Sequence, residues 1–161
     1  MGHHVGGIVA EAQALAGIAA GRGLGTPIPL AHGLALLPID AENGGGLAGD
    51  APQATPPATL LSFGYLTPAV LATLTEVSAG RRLASIETDH HGGTGGQRAV
   101  VCDGGRVLMP PTCGDGPRGP VSRALAHLGV RVGPAHIDEF DAVGLGTFRS
   151  NDDGRGARAP R

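Results

Sequence analysis

The sequence predicts an α+β domain in which a mainly antiparallel sheet of about five or six strands carries helices packed on one face. Three observations lead there. Between Leu83 and Met109, short alternating or apolar runs are separated by turn residues, which is the pattern of a meander. Thr67-Pro68 opens a stripe of apolar residues at helical spacing, and a second stripe follows Pro120.

In chain order, Val5-Gly6-Gly7-Ile8-Val9 reads as a glycine-weakened edge strand, with the start of a helix as the alternative. The alanine-rich stretch from Glu11 to Ala20 is a helix by propensity and ends at Gly21. Pro27 and Pro29 open an extended piece that continues from Leu30 to Ile39, with Gly33 as a bend and Leu34, Leu36 and Leu37 for the core. From Asp40 to Thr59 the chain is Gly, Pro, Ala and Thr without periodicity, so a mobile loop within the domain is expected.

At Thr67 a capping hydroxyl precedes proline at the first helical position, and Val70, Leu71, Leu74 and Val77 lie on one face up to Gly80. Leu83 to Thr88, Arg98 to Cys102 and Arg106 to Met109 are the strands of the meander, the last two joined at Asp103-Gly104-Gly105 by a two-residue turn. Pro110 to Pro120 is loop. The next helix runs from Pro120 to Gly129 with Val121, Leu125 and Leu128 inward, and a third fits Ile137 to Val143. After Phe148 the polar tail is expected to be disordered, so one domain spans residues 1–148.

Composition excludes several chemistries. All 12 basic residues are arginine, which rules out lysine Schiff bases and Walker-type ATP binding. A net charge of −2 and 2% aromatic residues give neither a phosphate-neutralising face nor base-stacking platforms, so no nucleic-acid partner is expected. Cys102 and Cys113 stand eleven positions apart without a second ligand pair, which indicates neither a zinc knuckle nor a disulfide framework. No apolar stretch reaches the roughly 18 residues of a membrane helix, and no signal-peptide pattern opens the chain, so the expected location is cytoplasmic.

The densest set of functional side chains joins the first two strands of the meander. Glu87, Asp89, His90, His91, Gly92, Gly93, Gly95, Gly96 and Gln97 form the candidate binding site. Carboxylates and imidazoles so close in sequence are the ligand types of divalent metals. Alternation along an extended chain places Glu87, Asp89 and His91 on one side and His90 on the other, so these three are the candidate metal ligands, with His127 or His136 to complete the set. Read against this is a solvated or hydrogen-bonded loop mouth. The glycines also suggest a phosphate cradle, but such cradles pass into a helix, and here a strand follows.

From about Ser62 to Phe148 the order of motifs resembles a family of small actinobacterial proteins with no assigned activity. The residues that carry it are Glu87, Thr88, Asp89, Gly92, Gly93, Gly95 or its neighbour Gly96, and Gln97, then Gly119 to Leu125 and Asp138 to Leu145. His90 and His91 stand where that signature has two aromatics. The resemblance supports the architecture and implies no activity.

No Ser, Cys or Thr sits in a recognisable nucleophile motif, so no catalytic residue is expected. The reading is therefore a non-catalytic binding protein without a cofactor, of an immunity-like or regulatory kind, whose partner is another protein. A metal-dependent enzyme using the Glu87 to Gln97 stretch and a divalent ion is the alternative.

Overall fold

A strand whose successive side chains are all buried must be covered on both faces. Strand β1 (His3–Glu11) is such a strand, with Val5, Ile8, Val9 and Ala10 fully buried. In the computed structural model, which describes residues 3–39, 60, 63–91, 94–114 and 118–145, β1 leads directly into helix α1 (Ala12–Arg22). Strand β2 (Ile28–Pro29), a 3₁₀ turn at Ala31–Gly33 and β3 (Leu34–Pro38) follow. Then come α2 (Pro68–Val77), the long strands β4 (Arg82–His91), β5 (Thr94–Asp103) and β6 (Arg106–Gly114), α3 (Pro120–His127) and the short α4 (Glu139–Ala142).

The six strands form one sheet in the order β2-β3-β1-β4-β5-β6, with every neighbouring pair antiparallel. The α+β class and the antiparallel meander are as expected. The helices, however, occupy both faces of the sheet. On one face Ile8, Leu37, Leu83 and Val100 pack with Leu15 and Ile18 of α1 and with Val70 and Leu74 of α2. On the other, Val9, Leu36, Ile86 and Val101 pack with Val121 and Leu125 of α3 and with Val143 beyond α4. Residues 34–37 and 99–101 are apolar at both parities, so cover on one face alone would leave a full row in water, at about 1.5–3 kcal/mol per large side chain.

Strand β1 is central where an edge strand was expected. Its glycines make room for neighbours: a Cβ on Gly7 would fall on the Leu37 carbonyl of β3, and one on Gly6 would lie 3.3 Å from the Tyr65 ring. The β5–β6 turn is centred on Gly104 (φ 60°) and Gly105 (φ 83°), with Asp103 opposite Arg106, so the two glycines take the positive φ angles instead of the Asp-Gly pair. Helix α2 begins as predicted: Thr67 Oγ1 accepts from the Val70 N–H at 3.2 Å. The third predicted helix shrinks to α4, because Asp138 is its cap and accepts from the Asp141 N–H at 2.9 Å. The expected loop at 40–59 and the tail at 149–161 lie outside the described residues. Among those described, no helix is long and apolar enough to cross a membrane.

Candidate functional site

The stretch expected as a glycine-rich loop is largely paired strand. Asp89 lies opposite Gly96, His90 opposite Gly95 and His91 opposite Thr94, so β4 and β5 form a long hairpin and only Gly92 and Gly93 separate them. Backbone amides engaged in a ladder are not free to cradle a phosphate. Gly92 and Gly93, and the side chains of His90 and His91, lie outside the described residues.

Pleating puts Glu87 and Asp89 on one face, as the sequence predicts, and β1 runs beside them with Gly6 opposite Glu87 and His4 opposite Asp89. His4 Nδ1 stands 3.9 Å from Asp89 Oδ1, at the exposed end of the sheet. Glu87 is different: it is only 4% exposed. Its Oε1 accepts from the Gly64 N–H at 2.6 Å, in the segment that leads into α2. Burial pushes the carboxyl pKa above its ordinary value, and the Gly64 amide, the Arg98 guanidinium and the Tyr65 and Leu66 amides pull it partly back. Oε2 makes no bond of good geometry among the described residues.

Tyr65, the only tyrosine in the chain, sits over Gly6 in the same cluster. Its hydroxyl donates to the Gly7 carbonyl at 2.8 Å and lies 2.5 Å from Ser85 Oγ. Burial, reinforced by the Glu87 charge, drives the phenol pKa far up, against the opposing pull of the Ser85 and Gly7 hydrogen bonds, so Tyr65 stays a neutral donor. Tyr65, Ser85, Gly6 and Gly64 were not legible as site residues. Their one signal was a serine between the apolar Ala84 and Ile86, and a lone tyrosine shortly before α2.

Gln97 faces the opposite side of the sheet. Its Oε1 accepts from the Val121 N–H at 3.3 Å, inside the first turn of α3, where no residue of the helix supplies a side-chain cap. Thr88, on that same face, accepts from the Val5 N–H at 3.2 Å. The completing ligands considered for a metal do not converge on Glu87 and Asp89. His127 ends α3, across the sheet, and its carbonyl accepts from Arg82 Nη1 at 2.6 Å at the far end of β4. His136 Nδ1 lies 3.3 Å from Asp141 Oδ2. Among the described residues no three His, Cys, Asp or Glu side chains are grouped to hold an ion. Cys102 is buried beside Thr75, and burial raises its thiol pKa, as befits an inert core cysteine; Cys113 is exposed.

No family model, no curated protein and no solved structure matches the chain.

Proposed function

We propose that the chain is a non-catalytic binding protein whose partner is another protein. The observation that carries this reading is the use made of the hairpin's best chemical groups. The Glu87 carboxylate ties the segment before α2 to the sheet, and the Gln97 amide ties the start of α3 to the other face. Both act as braces between layers, which is a structural use of each group.

The acidic run at 138–141 is spent in a similar way. Asp138 caps α4, and Asp141 Oδ2 accepts from the Ile137 N–H at 3.1 Å. Large apolar side chains face solvent instead: Val107 and Leu108 on the outer strand β6, and Val132 and Ile137 beside α3, are left exposed. Exposed apolar groups rimmed by charge are the usual material of protein-binding surfaces.

Affinity capture from native lysate, with photoreactive cross-linking to locate the contact, tests the proposal. A protein captured through a defined surface patch is the expected result. Recovery of no protein, together with turnover of a small molecule in an activity screen, would replace it with the metal-dependent enzyme.

A further inference from the structure

An open groove of about 580 Å³ runs between α3 and the segment that leads into α4. Three arginines line it, Arg118 just before α3, Arg123 on the helix and Arg131 after it, and all three are exposed. Among the described residues no ion pair joins any of them to an acid. Two acids, Asp138 and Glu139, share the rim with the three guanidinium groups, so the lining carries one more positive than negative charge. The groove is thus locally positive on a chain whose net charge is −2.

Two further features indicate what it receives. Ser122 lines the groove and is 1% exposed, and its hydroxyl has no hydrogen-bond partner among the described residues. Buried hydroxyls are nearly always partnered, and rotation about χ1 can turn this one to a ligand acceptor. Val132 and Ile137 also line the groove and are both exposed, Ile137 at 83%, so the groove offers two neighbouring apolar side chains.

We infer that this groove is the partner-binding surface and that it takes an acidic stretch of another protein carrying at least one apolar side chain. Guanidinium forks match carboxylates in a two-pronged geometry, and Val132 and Ile137 supply apolar area that a carboxylate alone cannot use. A free inorganic anion would engage the arginines and leave both apolar side chains in water. The inference rests on the protein-binding reading above.

Fluorescence anisotropy on the full chain tests it, with a labelled peptide of alternating Glu and Leu, its Gln-for-Glu twin, and inorganic phosphate as competitor. The acidic peptide binds, its affinity falls as salt rises, and the twin does not bind. Replacing all three arginines (Arg118→Gln, Arg123→Gln, Arg131→Gln) weakens binding about tenfold, or about 1.4 kcal/mol, with the melting temperature unchanged because the side chains are exposed. Ile137→Ser weakens it as well. Failure of the acidic peptide to bind, equal binding by the twin, or insensitivity to the arginine replacements overturns the inference, as does phosphate protecting the groove where the peptide does not. A captured protein whose cross-links avoid the groove overturns this inference and leaves the protein-binding reading standing; capture of none, with small-molecule turnover, overturns both.

Discussion

Glu87 Oε1 accepts the Gly64 N–H at 2.6 Å across 23 residues of sequence, so a carboxylate on the sheet face anchors the segment that delivers α2. Hydrogen bonds to an ionised acceptor are short and roughly twice as strong as neutral ones. A Cβ on Gly64 would stand 2.7 Å from that same oxygen, so a side chain there would push the carboxylate end away from the amide. On the opposite face Gln97 does the corresponding work for α3. One hairpin thereby fixes helices on both sides of the sheet.

Glu87→Ala removes the acceptor of the part-buried Gly64 N–H, at about 1 kcal/mol or somewhat more; a urea melt measures the loss. Glu87→Gln keeps an acceptor and removes the charge, which changes the pH dependence. Because burial raises the folded-state pKa above the ordinary value of 4.5, the unfolded chain releases its proton first as pH rises. The Glu87 contribution is complete below that value and is lost as pH climbs through the folded-state pKa. The Gln variant should therefore gain stability relative to the natural chain as pH rises through this window. A stability difference that stays flat with pH would show that the carboxyl titrates alike in both states.

Gly7→Ala should destabilise by about 1–3 kcal/mol or more, since its Cβ would meet the backbone carbonyl of Leu37, which can yield only by shifting β3. Gly6→Ala should cost less, as its nearest neighbour is the edge of the Tyr65 ring at 3.3 Å. Thermal melts of the two variants, measured side by side, check the order; equal losses would mean that β1 and β3 are not held so closely.

These glycines show how far the sequence could be read. The meander, the Thr67 cap and the inward stripes of α2 and α3 follow from local spacing and turn chemistry, although the strands run longer than expected and β6 continues to Gly114, through residues read as loop. Gly6 and Gly7 read as strand weakeners because propensity sees only the missing side chain, whereas their roles are set by Tyr65 and Leu37, 59 and 30 residues away in sequence and arriving from other elements. Helices on both faces were visible in principle in residues 34–37, whose unbroken apolar run leaves no face for water. Within the candidate site, the shared face of Glu87 and Asp89 followed from parity alone. That Glu87 is a brace did not, because its partner is a backbone amide, and any residue has one.

Gln97→Ala should cost about 1 kcal/mol, the usual loss when a helix terminus loses its side-chain acceptor. The effect should be local. Hydrogen exchange at the Val121 amide should accelerate more than at the Leu74 core of α2, and Gln97→Glu, which keeps an acceptor, should restore protection. Uniform acceleration across the chain would place the bond among global contributions and not at the α3 terminus.

Zinc, manganese and magnesium separate the binding reading from the enzyme reading. An ion held by Glu87, Asp89 and His91 at 100 times its dissociation constant would stabilise the folded chain by about 2.7 kcal/mol. Glu87 Oε1 is engaged by Gly64, which leaves only Oε2 for an ion, and His127 lies across the sheet from it. The expected result is an unchanged melting temperature with each ion and no metal in the purified protein. A shift with one ion that Asp89→Asn or His91→Ala abolishes would instead establish a metal centre at the tip of the hairpin and favour the enzyme reading, which turnover would then have to carry.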